Sequence, residues 1–299
     1  MTVCISGSHR LLAVATVLLA IAASDASAAE SSCADATQRI PQRSRLAIGA
    51  AQFVTEVAGM TEHDRDRAIR DQLEAGNLPA FLRRASAVDV DARLGDGERV
   101  RLTLCVLPDY LSIGSDDDNL LIPMSLDAAL SVGALFGFAL PTPRIVDLIY
   151  RQASVHLAPQ PLPPGDRMRS TAYYLEHDAM VRQQREAFGA RPGELTAGHM
   201  KDVVISTRLR SQPGHVAIYG WHRSVDSPIQ PLSTVHGARY ADYSHGVRLV
   251  SQRVYVNGEA RSLFDVLADP RLSRLLSDEG PLQLAGEWFV RVSPPISGE

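Results

Sequence analysis

Apolar positions along this chain follow two rhythms, and the change from one to the other orders the molecule. From Arg43 to Gly59, Leu46, Ile48, Ala51, Phe53, Val54 and Val57 recur at helical spacing, the period that lays one apolar stripe along a helix. Thr61 followed by Asp64 has the form of a capped helix start, predicting a second helix to about Leu73. Two strand-like runs, Val88 to Arg93 and Val100 to Leu107, flank Leu94-Gly95-Asp96-Gly97 and predict a hairpin. Ser125 caps an apolar helix through about Phe138, and Thr142-Pro143 supplies the cap and first-turn proline of another running to Ala153. A polar helix is expected from about Ala172 to Phe188.

Beyond residue 199 the period shortens to that of strands: Val203 to Thr207, His215 to Tyr219 and Val247 to Tyr255. Asn257-Gly258 is a turn dipeptide, because both residues tolerate the positive φ angles of a type I′ hairpin. Ser262 and Asp269-Pro270 open short helices before a final strand near Trp288. Helices first and a mostly antiparallel sheet second predict an α+β fold. Between the halves, residues 157 to 166 carry four prolines and no periodicity, which predicts a linker or a strap over the surface. The expected division is 29 to 156 and 167 to 299, or one continuous domain from 29 to 299.

The amino terminus changes the picture. His9-Arg10 precede the 13 largely apolar positions from Leu11 to Ala23, and small residues follow to Ala26-Ser27-Ala28. That is the order of a secretory signal peptide, and the run is short of the ~20 residues that span a bilayer. Residues 1 to 28 are therefore expected to be removed and the mature protein to be periplasmic or secreted, without a membrane span. Cys33 and Cys105 then make an even pair in an oxidising compartment and are expected to form a disulfide. A net charge of -4 leaves no basic footprint for nucleic acid.

Candidate chemistry concentrates in the strand-patterned half. Of the eight histidines after residue 28, five (His199, His215, His222, His236 and His245) lie between 199 and 248; histidine titrates and shuttles protons near neutral pH. Lys201 is the single lysine against 29 arginines. An amine can lose its proton where a guanidinium cannot, so a position that keeps lysine is a candidate base or proton donor. The stretch from His236 to Arg248 gathers Tyr240, Asp242, Tyr243, Ser244 and His245, and Tyr219, Trp221 and His222 close an apolar strand upstream.

These residues give a metal-free acid/base site with Lys201, His222, Asp242 and His245 as catalytic groups. His199, Tyr219, Trp221, Gln230, His236, Tyr240, Tyr243, Ser244 and Arg248 are the expected substrate contacts. No cofactor is required by this reading. Zinc on His222, His236, Asp242 and His245 is the alternative, since the ligand types suit it although the spacing follows no short zinc signature. Ser244 lacks the Gly-x-Ser-x-Gly context of a nucleophile elbow.

Two resemblances bear on this half. Ser244-His245-Gly246-Val247-Arg248-Leu249 resembles the Ser-His-Gly-Cys-x-Arg-Leu signature of L,D-transpeptidases, which act on bacterial cell walls. Val247 stands where that family has its cysteine nucleophile, so the thiolate chemistry does not carry over. The set Gly198-His199-Met200-Lys201-Asp202, Ile218-Tyr219-Gly220-Trp221-His222, Ile229-Gln230-Pro231-Leu232 and Tyr240-Ala241-Asp242-Tyr243-Ser244-His245-Gly246 resembles a family of exported bacterial proteins without a settled activity, implying one functional unit over roughly residues 105 to 280. The expected function is an exported hydrolase of a cell-envelope or extracellular polymer. The alternatives are a non-catalytic periplasmic module binding glycan or peptide, and a zinc-dependent hydrolase.

Overall fold

A computed structural model describes residues 33–283; the signal-like segment and the strand expected near Trp288 lie outside the described residues. Helix α1 is Ala50–Glu56 and α2 is Glu62–Glu74, where Thr61 accepts from the Asp64 N–H. The first helix is shorter than its periodicity predicts. Its expected beginning is taken by side chains, since Arg43 donates to the Ala47 and Ile48 carbonyls and Asn77 donates to Ile48 as well, consuming acceptors that a longer helix would use.

Strands β1 (Ser86–Arg93) and β2 (Arg99–Val106) form the expected hairpin, followed by the short pair β3 (Ser112–Gly114) and β4 (Asn119–Leu121). Helix α3 (Leu126–Phe136) starts at Ser125, which accepts from Ala128, and stops at Gly137, whose φ of 80° is the left-handed termination that glycine adopts without strain. After β5 (Phe138–Ala139), α4 (Pro143–Gln152) begins with Thr142 accepting from Ile145. Strand β6 (Val155–His156) leads into the proline-rich stretch. This is a strap: Leu157 and Leu162 are buried and the Tyr243 hydroxyl accepts from the Leu162 N–H at 2.7 Å. Helix α5 (Thr171–Phe188) follows, capped by Ser170.

The remaining elements are β7 (Thr196–Ala197), β8 (Lys201–Val204), the single turn α6 (Arg208–Ser211), β9 (Ala217–Ser224), β10 (Ser227–Ser233), β11 (His245–Gly246), β12 (Val250–Ser251), β13 (Arg253–Val256), β14 (Glu259–Ser262) and α7 (Leu263–Ala268). The run expected as one strand from Val247 to Tyr255 divides at Gln252, whose N–H bonds to Gly137. The hairpin at Asn257-Gly258 has the anticipated positive φ angles of 53° and 86°.

The fold is α+β. A six-stranded sheet runs β14-β13-β2-β12-β5, with β1 on the other edge of β2; a four-stranded sheet runs β10-β9-β8-β11. All pairings in these two sheets are antiparallel except β11 on β8. One apolar core draws on residues before the strap, such as Phe53, Leu104 and Phe136, on Leu162 within it, and on Val203, Val254 and Leu267 after it. Cys33 is joined to Cys105 on β2 by a disulfide. No helix among the described residues is long and apolar enough to cross a membrane.

Candidate active site

The four-stranded sheet positions the chemistry. On β8, Lys201 and Asp202 are successive residues, and strand alternation sends their side chains to opposite faces. Lys201 lies opposite His245 in the parallel pairing with β11, and its N–H donates to the Ser244 carbonyl at 2.8 Å. Asp202 lies opposite Tyr219 on β9. One strand thus supplies a group to each of two polar clusters.

On the Lys201 face, the Lys201 ammonium sits 5.0 Å from the centre of the Trp221 ring. Asp242 is anchored from below: its Oδ1 accepts from the Ser244 hydroxyl at 2.6 Å and from the Ser244 N–H at 2.8 Å. Its Oδ2 lies 3.7 Å from His245 Nε2 and accepts from the Tyr240 hydroxyl at 3.4 Å. His245 is wholly buried, yet neither of its ring nitrogens has a hydrogen-bond partner. Above it, His236 and Tyr240 stack 3.9 Å apart and nearly parallel, each about 6 Å or less from the His245 ring. Those two and Lys201 are half-buried, so the cluster reaches the surface through them.

Burial controls the protonation of these groups. It pushes the His245 imidazole down to about 4 and lowers the Lys201 amine, which the Asp242 charge partly restores. Burial also works against the charge of Asp242. The opposing effects of His245, Lys201 and the two Ser244 bonds outweigh it and hold the carboxyl below its usual range. The result near neutral pH is an anionic carboxylate beside an uncharged imidazole and an amine whose proton is loosened.

The other face carries a second cluster. Asp147 on α4 accepts at one oxygen from the Tyr219 hydroxyl and bonds His222 Nε2, both at 2.9 Å. His222 stacks on Tyr150 at 4.6 Å. Asp202 accepts from the Tyr110 hydroxyl at 2.9 Å and leaves Oδ1 unpartnered; burial raises its carboxyl to about 6 against the nearby Arg248 charge. The separation of the faces depends on a backbone device. Gly220 has φ 103° and Trp221 φ 56°, so Tyr219 and His222, which regular alternation would part, converge on Asp147. Trp221 turns the other way, towards Lys201 and the His199 carbonyl, to which its indole donates. A tryptophan in the left-handed region is strained, and strain of this kind concentrates at functional sites.

His199 lies just before β8, paired with Asp109 at 3.2 Å, and Asp109 in turn holds Arg185. Burial lowers this imidazole to about 4, opposed by Asp109. Three histidines of the sheet region therefore each have their own aspartate: His199 with Asp109, His222 with Asp147, and His245 with Asp242.

Of the expected catalytic set, Lys201, Asp242 and His245 come together and His222 does not, being held on the opposite face by Asp147. The same displacement takes His222 out of the expected zinc set of His222, His236, Asp242 and His245; among the described residues no three His, Cys, Asp or Glu side chains are grouped as metal ligands. His236, Tyr240, Ser244 and Trp221 belong to the Lys201 face. Tyr219 goes with His222. Arg248 is a structural tie rather than a substrate contact: it is 1% exposed, lies 4.3 Å from the Tyr110 ring centre and donates to the Leu107 and Thr196 carbonyls. Tyr243 is buried as the pin of the strap, and Gln230, on edge strand β10, donates to Pro231.

Sequence reasoning missed Asp109, Asp147 and His177. His177, on α5, is 1% exposed with Nε2 unpartnered, packs edge-on against Tyr243 at 5.2 Å, and is held down to about 3 by burial together with the charges of His199 and Lys201. A signal for it exists: Tyr173, Tyr174, His177, Asp178 and Val181 form the buried stripe of α5, so a polar pair interrupts an apolar helix face.

No family model, curated protein or solved structure matches this chain. The functional reading therefore rests on the geometry of the site.

Proposed function

We propose that the chain is an exported hydrolase of a cell-envelope or extracellular polymer, working by general acid/base catalysis at Lys201, Asp242 and His245. The observation that carries this reading is the buried His245 imidazole, uncharged, with both nitrogens free of structural hydrogen bonds, beside an anchored carboxylate and an amine open to the surface. A histidine serving only the fold would be expected to have its nitrogens satisfied. In the proposed reaction the imidazole takes a proton from water as the oxygen attacks, the Asp242 charge stabilises the imidazolium that forms, and Lys201 gives a proton to the departing group. The histidine proton then returns to the amine, closing the cycle. Export is supported by the Cys33–Cys105 disulfide, a bond of oxidising compartments, and by the signal-like order of the first 28 residues.

The stacked faces of His236 and Tyr240 favour one second reading, a module that grips a glycan without cleaving it. A single experiment separates the two. Purified protein is incubated with a panel of envelope fractions and polysaccharides, and released products are identified by mass spectrometry. The hydrolase releases products that Lys201→Arg does not; retention of a polymer with no product from the wild type would favour the binding module, and no product from any polymer overturns the hydrolase reading.

A further inference from the structure

The amine of the chain's single lysine is left without a structural task. Among the described residues the Lys201 amine donates no hydrogen bond and joins no carboxylate in an ion pair; what it has is the Trp221 ring, 5.0 Å away, and the more distant charge of Asp242. Asp242 is itself engaged, with Oδ1 held by Ser244 and Oδ2 by the Tyr240 hydroxyl. The backbone that carries the amine is fixed, since β8 is paired with β9 on one side and with β11 on the other. The side chain is half-buried, so a small molecule can reach its end. Burial disfavours the ammonium and so raises the share of free amine, the form that attacks a carbonyl carbon. His245, the register partner of Lys201 on β11, supplies an uncharged imidazole with both nitrogens free.

We propose that Lys201 captures small neutral aldehydes as an imine, with His245 carrying the protons. The amine lone pair attacks the carbonyl carbon, the C–N bond forms and the carbonyl electrons move to oxygen; His245 takes a proton from the nitrogen and returns it to that oxygen, giving a carbinolamine. A second proton follows the same route as the C–O bond breaks and the C=N bond forms, and one water leaves. A guanidinium cannot take this path, which gives the one position that keeps lysine among 29 arginines a chemical reason. The ligand is neutral because an aldehyde carrying its own carboxylate would meet the Asp242 anion, while the amine that offsets this anion is the group being consumed. Capture of this kind goes beyond the hydrolase reading and does not rest on it, because it leaves a covalent adduct with no polymer turned over.

The test is reductive trapping. The full chain is mixed at neutral pH with Nα-acetyl-lysine amide as an ordinary reference amine, with glycolaldehyde or its anionic counterpart glyoxylate, and with cyanoborohydride, whose hydride reduces an imine to a stable secondary amine. Peptide mass spectrometry then reads hydroxyethyl-lysine or carboxymethyl-lysine, and with a single lysine in the chain the position is unambiguous. Lys201 takes the hydroxyethyl group roughly ten-fold or more faster than the reference amine, a modest demand beside the usual effect of a placed proton carrier, and this advantage shrinks with glyoxylate. Lys201→Arg retains only the amino-terminal label, and His245→Gln, compared at a matched melting temperature, falls towards the reference rate. Labelling of Lys201 no faster than the reference with either aldehyde overturns the proposal, whether or not His245→Gln folds. A larger advantage with glyoxylate overturns the neutral ligand class, and an unchanged rate in folded His245→Gln overturns the part given to His245.

Discussion

Replacing His177 by phenylalanine tests whether the interior histidines are held uncharged. The new ring keeps an aromatic edge against Tyr243 and deletes the unpartnered Nε2, so at pH 8 the variant should be at least as stable as the wild type, since a buried polar atom left unpaired costs about 1 kcal/mol or more. The acid side carries the sharper expectation. In the unfolded chain His177 titrates near 6.5, whereas in the folded protein burial holds it down to about 3. A folded value below the unfolded one contributes stability in full above pH 6.5, and that contribution is lost as the pH falls towards 3. At pH 5 the unfolded side chain is almost wholly protonated and the folded one is not; pH 5 lies about 1.5 units below the unfolded value and well above the folded one, so the contribution lost by then is about 2 kcal/mol. Urea unfolding at pH 8 and pH 5, with the disulfide intact, should show the wild type losing about 2 kcal/mol more than His177→Phe between the two conditions. His199 and His245 are present in both proteins, and their acid sensitivity cancels in the comparison. An identical pH dependence in wild type and variant would refute a neutral, buried His177.

Three further outcomes follow from the geometry. Lys201→Arg should keep the charge over Trp221 and leave stability within about 0.5 kcal/mol, yet lower product release by on the order of 10²-fold or more; matched melts with an unchanged rate would remove Lys201 from the chemistry. Changing both Cys33 and Cys105 to Ser opens a loop between residues 72 positions apart, which the chain-entropy relation values at about 4 kcal/mol, measurable by urea unfolding. Gly246→Ala would place a methyl 2.5 Å from the Tyr110 ring and should destabilise by about 1–3 kcal/mol, read as a lowered melting temperature.

The elements were legible wherever local chemistry decides them. Thr61, Ser125, Thr142 and Ser262 cap helices because each hydroxyl can reach an N–H two or three residues on, and Asn257-Gly258 turns because both residues accept positive φ. The site was half legible. Asp242, Ser244 and His245 are neighbours in sequence, and the link to Lys201 could be suspected from the rarity of lysine. That His222 departs from this group was not legible, because it depends on the conformation of Gly220 and Trp221 and on Asp147, 75 positions away. Strand alternation alone would have left His222 apart from Tyr219 and put Trp221 beside Tyr219. The role of Arg248 was misread for a related reason: a charged residue in a polar motif suggests a ligand, and only the tertiary fold reveals the carbonyls it satisfies.

The alternation of Lys201 and Asp202 on one strand also constrains how this protein can vary over generations. Two clusters share a single ruler, so inserting or deleting one residue in β8 would send the carboxylate among the groups around His245 and the amine towards Tyr110 and His222, disabling both at once. A point change at either position touches one cluster and spares the other, whereas a length change there reaches both. Sequence drift should therefore be free to lengthen or shorten the loop between β9 and β10 while keeping the spacing from His199 to Val204 fixed.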